Sequence, residues 1–260
     1  MARRLALGGL IAIVAWLALL WICDAVVASR QATVVTERLG ESLHGRATLG
    51  ELDLALIRGR LGLRALAVDR DDLVGRLALD VREVDCELAP LGWALVDRGC
   101  RELAVRGVRF AVSTAALFRL QAPKRAPIHA DHVVLDDARL TFSPSALLPS
   151  LGRIQISIDH AESGPTTFVT PLSWIFALET LRAHVELPAG LMVQLRYDRG
   201  VFGAAGSLFG STPVELPLRL PVTTGYTDAH DEIQALIKLG TELAEQLVAK
   251  RAEDWVRTKL

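Results

Sequence analysis

The side chains of this 260-residue chain that could do catalytic chemistry are scattered. The segment Gly40–His44 (Gly-Glu-Ser-Leu-His) comes near a nucleophile elbow, but that motif ends in glycine rather than histidine. His129 and His132 are close in sequence, yet an odd spacing places them on opposite faces of a strand, which argues against a shared metal ion. The pairs Asp71-Asp72 and Asp136-Asp137 are typical of solvated turns. The sequence therefore predicts no catalytic residues, no metal, no cofactor and no enzyme activity.

Cysteine use bears on the compartment of the protein. Cys23 lies in an apolar stretch near the amino terminus, whereas Cys86 and Cys100 flank a connection farther along the chain. In an oxidising compartment, a disulfide between Cys86 and Cys100 is geometrically feasible, and two buried free thiols are the alternative. No paired spacing of cysteine and histidine indicates zinc.

A long apolar stretch, Leu5–Val27, precedes all the candidate strands and follows Arg3 and Arg4. About 20 apolar residues can cross a hydrocarbon core about 30 Å thick as a helix. The positive-inside tendency then places the amino terminus in the cytoplasm and exports the rest of the chain. The alternatives are a cleaved signal peptide, for which this stretch is long, a lipoprotein signal ending at Cys23, and a buried helix of a soluble protein.

Composition limits the partners of the exported part, which has roughly 230 residues and is large enough for one domain or two small ones. The formal net charge is -1 and aromatic residues make up 5% of the chain. There is no basic stripe for nucleic acid, so no nucleic-acid partner is expected.

From Arg46 onward, short segments alternate between apolar and polar residues with period two, which is typical of strands with one apolar face. Several of these segments change parity: Leu61-Leu63 to Leu66-Val68, Leu77-Leu79-Val81 to Val84-Cys86-Leu88, and Leu103-Val105 to Val108-Phe110-Val112. A β-bulge would absorb such a slip and bend the strand, so repeated slips predict a strongly curved antiparallel sheet. The alternative is that these strands are covered on both faces near their ends.

The expected organisation is a membrane anchor with its flanks (1–30), a linker or short helix (31–45), a β-groove domain (46–221) with an internal linker at 121–127, and an amphipathic helix (228–260). Short connector helices are expected at 90–96, 114–120 and 171–181, and a tight hairpin at Asp136-Asp137. Pro213, Pro217 and Pro221 share one parity of the last strand, which predicts a sheet edge blunted against further pairing. We expect the final helix to pack on the sheet, with a lid, a membrane-surface helix or a partner-binding helix as alternatives.

Apolar residues from many consecutive strands are expected to form one shared surface. In a closed sandwich they would be core, whereas in an open curved sheet they would form a trough suited to acyl chains. The residues expected to line such a trough are Leu79, Val81, Val105, Val108, Phe110, Ile154, Ile156, Ile158, Val185 and Leu195.

The chain resembles the AsmA-like proteins, relatives of TamB among the repeating β-groove lipid-transfer proteins. The resemblance rests on the single amino-terminal span and on the segments 46–54, 59–68, 88–91, 103–110 and 133–142. It covers most of Arg46–Pro221.

This resemblance implies an anchor in the bacterial inner membrane, a periplasmic β-groove that binds phospholipid or another acyl lipid, and a role in lipid transport or outer-membrane maintenance. Eleven or twelve strands at about 4.8 Å each give a groove of about 50 Å, so the chain would be a short member of the family. It would then be a partial segment, a short carrier or the partner of a longer protein. The alternative function is a non-enzymatic envelope assembly protein that packs its sheet and final helix on a partner.

Overall fold

A computed structural model describes residues 32–34, 36–37, 45–55, 59–72, 75–88, 99–113, 128–143, 152–168, 172–207, 210–218, 220 and 229–259. The predicted span Leu5–Val27 lies outside these residues, as do the connectors at 90–96 and 114–120 and the linker at 121–127. Within the described part of the chain, no helix combines the length and the apolar character needed to cross a membrane. Residues 32–34 and 36–37 are helical.

The described chain is mainly β, with 11 strands in a single sheet. The strands are β1 (Arg46–Ala55), β2 (Arg60–Asp72), β3 (Gly75–Leu88), β4 (Cys100–Ser113), β5 (Ile128–Ser143), β6 (Ile154–Ser163), β7 (Thr166–Phe168), β8 (Leu178–Leu187), β9 (Leu191–Asp198), β10 (Val201–Gly206) and β11 (Gly210–Pro217). Short 3₁₀ helices occupy Ser173–Ala177 and Pro188–Gly190, and helix α1 (Ala229–Lys259) follows the sheet.

The sheet is an open, curved meander in which neighbours along the chain are usually neighbours in space. Its order is β1-β2-β3-β4-β5-β6-β8-β9-β10-β11, and β7 pairs with β5 beyond the end of β6. All pairs are antiparallel except β4–β5, which is parallel. The expectation of a purely antiparallel sheet is therefore wrong at this pair, because the 14-residue connection 114–127 is long enough for a crossover.

The parity changes fall on one line across the sheet, which we call the kink row. Its members are Gly50, Ala65, Arg82, Gly107, Asp137 and Asp159, where the regular pairing of neighbouring strands is interrupted. Ala65, Gly107 and Asp137 have positive φ values of 52°, 67° and 52°. Among the residues of the kink row, only Asp159 coincides with a register shift, between β6 and β8. Most of the parity changes are thus not bulges. Neighbouring strands each have an unpaired residue at the same level, so no extra residue is inserted and the register stays the same on both sides.

Apolar residues on both sides of the kink row remain on one face of the sheet. Val81 and Val84 flank the row on β3, Val105 and Val108 flank it on β4, and all of them belong to one apolar cluster. A local change of backbone conformation therefore restores the face that strict alternation would have lost.

One local prediction is wrong and another is right only in part. Asp136-Asp137 is not a hairpin turn, because β5 runs straight through it and the positive φ of Asp137 only kinks the strand. The helix expected at 171–181 is a 3₁₀ helix of five residues, Ser173–Ala177, after which the alternating residues from Leu178 onward form β8.

The edge strand and the final helix follow the sequence prediction. β11 pairs only with β10 among the described strands, and the amide of Leu218 donates to the carbonyl of Gly200 at 2.8 Å. The backbone amides of the even-numbered residues of β11 thus point to β10. Pro213 and Pro217 are odd-numbered, so they remove donors from the unpaired side of the strand. Helix α1 packs Leu239, Leu243 and Leu247 against the apolar residues of β9–β11. The predicted cap Asp228 lies outside the described residues.

Candidate functional site: the apolar face of the sheet

The residues expected to line a trough lie on one face of the sheet. Leu79 and Val81 on β3 pair with Phe110 and Val108 on β4. Farther along the sheet, Ile156 on β6 pairs with Val185 on β8, and Leu195 on β9 pairs with Ala183 on β8. The register therefore assembles side chains that are more than one hundred residues apart in sequence into continuous rows.

None of these side chains is fully exposed. Val81 and Ile158 are 6% and 5% exposed, and the others are half-buried. Leu140 is absent from the residues expected to line the trough, yet it pairs with both Phe110 and Ile156 and completes their row across β5. Leu140 and Phe142 share one parity, which would have placed both on the apolar face. The interpretation of Asp136-Asp137 as a turn separates them from the strand that precedes it.

The apolar face is built as a single layer among the described residues. Five apolar clusters cover it, and each is built from side chains of neighbouring strands; two of them also include Trp174 of the 3₁₀ helix, and one includes leucines of α1. No cluster joins strands β1–β3 to strands β8–β11, as the two faces of a closed sandwich would. Within the part of the chain that the structure describes, the sheet therefore has no opposing sheet.

Two elements partly cover this face. Trp174 of the 3₁₀ helix packs against apolar clusters on both sides of it, one with Ala130 and Val133 and the other with Ala138 and Ile158. Helix α1 covers the strands at the β11 edge through Leu247, which is 7% exposed. Among the described residues, the clusters around Leu66 and Leu77 include no side chain of either element.

Cys86 and Cys100 form a disulfide in this structure, with their Cα atoms 5.4 Å apart. Both are buried in the cluster that contains Leu88 and Val133. The bridge joins the ends of β3 and β4 and closes the connection between them. Of the two alternatives that the sequence left open, the structure has the disulfide.

An open cavity with a volume of about 720 Å³ lies at one end of β8–β11. Phe176, Leu178, Tyr197, Leu218 and Leu220 give it apolar walls, and the polar side chains of its lining are Glu179 and Arg199. Burial raises the pKa of Tyr197 above its usual value of 10.0, and a hydrogen bond with the backbone of Gly200 opposes this effect. The cavity is contiguous with the apolar cluster that α1 covers, because Tyr197 and Leu218 belong to both.

The opposite face carries a line of alternating charge beside the kink row, which we call the charge ladder. It runs from β1 to β6 through directly opposed residues: Glu51, Arg64, Glu83, Arg106, Asp136 and His160. The nitrogen–oxygen distances between successive members are 3.7, 3.7, 3.4, 3.9 and 2.7 Å. Sequence reasoning missed the ladder, although each member directly adjoins a residue of the kink row.

His160 is the end member of the ladder, and both nitrogens of its ring face a carboxylate. Its Nδ1 lies 2.7 Å from Oδ1 of Asp136, and its Nε2 lies 3.2 Å from Oε1 of Glu162. The hydrogen bond with Asp136 raises the pKa of His160 above the usual 6.5, burial opposes it, and the bond with Glu162 adds to it.

The described residues contain no cluster of histidine, cysteine, aspartate or glutamate that could hold a metal ion. Comparison with known proteins adds no assignment: no protein-family model and no curated protein matches this chain. The fold thus defines a mainly β protein with an open, curved sheet, and the resemblance to AsmA-like proteins stays a prediction.

Proposed function

We propose that this chain binds lipid acyl chains on the apolar face of its curved sheet, as a membrane-anchored protein that takes part in phospholipid transport or outer-membrane maintenance. The observation that carries the proposal is a continuous apolar face spanning β1 to β11 that lacks an opposing sheet among the described residues. Apolar surface of that extent usually marks a binding site.

Aliphatic side chains suit this ligand class. Each methylene group shielded from water contributes about 0.8 kcal/mol, so a tail lying along several strands would gain substantial binding energy without directional contacts. The row through Leu79, Phe110, Leu140, Ile156 and Val185 runs across the strands and offers such a path. The charge ladder lies on the other face, where it keeps the outside of the sheet hydrated.

The anchor and the compartment belong to the same proposal. Leu5–Val27 would hold the chain in the bacterial inner membrane, and the groove would lie in the periplasm. The disulfide between Cys86 and Cys100 is consistent with an oxidising compartment.

Site-specific photo-crosslinking tests the lipid contact. A benzophenone amino acid would replace Ile156 in the full-length chain, produced in bacterial membranes and irradiated before purification. Gln155 is the matched control, because it is the next residue of β6 and faces the opposite side of the sheet. We expect phospholipid adducts by mass spectrometry at position 156 and at most a trace at 155. Absence of adducts at 156, or equal adducts at both positions, would reject lipid binding on this face.

A second candidate is a non-enzymatic assembly protein whose final helix packs on another envelope protein. It is favoured by Ile237 and Val248 of α1, which are 50% and 68% exposed. Replacing both by glutamate should then release the chain from a larger membrane complex on a native gel while leaving the crosslinks at position 156 intact. An unchanged complex argues against this candidate.

A further inference from the structure

We propose that His160 is a pH-responsive latch on the bend of the sheet: protonated, it ties β6 to β5 beside the kink row, and deprotonated, it releases that tie. The inference goes beyond lipid binding and needs no ligand. It rests on the position of His160 at the end of the charge ladder and on the groups that face it.

Every strand packed against His160 contributes a charged group to its surroundings. Asp136 faces it from β5 and is itself 3.9 Å from Arg106 of the next strand. Glu162 lies on the same strand, and Arg182 of β8 is opposite His160 in register. Nearby, Asp159 of the kink row lies 3.0 Å from His184 of β8.

The number of N–H groups on the imidazole ring shows why its protonation matters. A protonated imidazole donates one N–H to Asp136 and the other to Glu162, and so completes the alternation of charge. A neutral ring carries only one N–H, so one of the two carboxylates loses its donor. The loss falls next to Asp137 and Asp159, where the pairing of β5 with β6 is already interrupted.

The direction of the effect follows from linkage. Because the folded pKa of His160 lies above the unfolded value near 6.5, the contribution is fully present below pH 6.5. It is lost as the pH rises through the folded pKa. The bend should therefore be held more firmly in mildly acidic than in alkaline solution.

Distances between spin labels across the sheet test the latch in the full-length chain. Labels would be attached in a Cys23→Ser background to Thr48→Cys on β1 and Gln194→Cys on β9, two exposed positions outside the ladder. We expect the distance distribution to broaden or shift between pH 5.5 and 8.5, and His160→Gln to remove that change. The control is His129→Gln, since His129 also pairs with an aspartate, Asp131 at 3.1 Å, but lies outside the ladder.

Two outcomes would overturn the latch: a distribution in the unsubstituted chain that does not depend on pH, or a pH response that survives His160→Gln. If His160→Gln does not fold, Asp136→Asn serves instead. It keeps the imidazole but replaces the carboxylate whose hydrogen bond raises the pKa of His160 most by a neutral amide, so the transition should move to lower pH. A transition that stays at the same pH in Asp136→Asn contradicts the proposal equally.

Discussion

Arg82 reaches across a whole strand to contact Asp137: its Nη2 atom on β3 lies 3.4 Å from Oδ2 of Asp137 on β5, with β4 between them. The residue of β4 beneath this contact is Gly107, and a Cβ atom there would lie 2.8 Å from both Cβ and Nε of Arg82. The missing side chain thus leaves room for Arg82 to cross. Both charged groups are more than half exposed, so the ion pair itself contributes little, about 0–1 kcal/mol. The exclusion of a side chain at Gly107 therefore constrains the sequence here more than the ion pair does.

The glycine of the kink row should be sensitive to substitution. Gly107→Ala places a side chain at φ 67° and against Arg82, so we expect a loss of about 2 kcal/mol or more in the free energy of unfolding. Urea denaturation followed by tryptophan fluorescence measures it. Gly203→Ala on β10 is the control, because the atoms nearest to its new Cβ lie 3.9 Å away. Equal losses in the two variants would show that the kink row imposes no special constraint.

The disulfide should determine both the number of reactive thiols and the free energy of unfolding. With Cys86 and Cys100 paired, the unfolded unreduced chain should expose one of its 3 cysteines to Ellman's reagent, namely Cys23. Reduction should lower the free energy of unfolding by about 3 kcal/mol, since it frees a closed loop. The same loss is expected for Cys86→Ala with Cys100→Ala, and none for Cys23→Ser. Titration of all the cysteines without reductant would contradict the pairing.

Tyr197 should ionise late in an alkaline titration. Burial favours its neutral form, so its folded pKa is raised, and this contribution to stability is present below pH 10.0 and lost at higher pH. Absorbance at 295 nm follows the 2 tyrosines of the chain, Tyr197 and Tyr226. We expect Tyr197→Phe to remove a component that titrates above pH 10. If the variant instead removes a component at or below pH 10, the ring is not buried as the structure shows.

The prolines of β11 should prevent edge-to-edge association. Pro213→Thr with Pro217→Thr restores two amide donors on the open side of the edge strand, so the variant should form dimers or larger species through strand pairing. Sedimentation velocity of the full-length chain in detergent measures this. Pro165→Thr is the control, because it adds an amide at an exposed bend between β6 and β7. A variant that sediments like the unsubstituted chain would mean that another feature protects this edge.

Much of the sheet could be predicted from local sequence because its signals are local. Alternation along each strand follows from side chains pointing to opposite faces, and the parity change between Val81 and Val84 falls at Arg82 of the kink row. The proline spacing likewise identified β11 as an edge. The interpretation of Asp136-Asp137 as a turn failed because the same residue types that favour turns also tolerate the positive φ of a kinked strand.

The sequence alone therefore determined that this protein is mainly β, that one face of its strands is apolar, and where β2, β3 and β4 change parity. Only the tertiary structure decided that β4 and β5 run parallel, that Cys86 meets Cys100, and that Glu51 and His160 end one charge ladder. The physical reason is that side-chain direction is fixed within a strand, whereas strand order and register depend on contacts between segments distant in sequence.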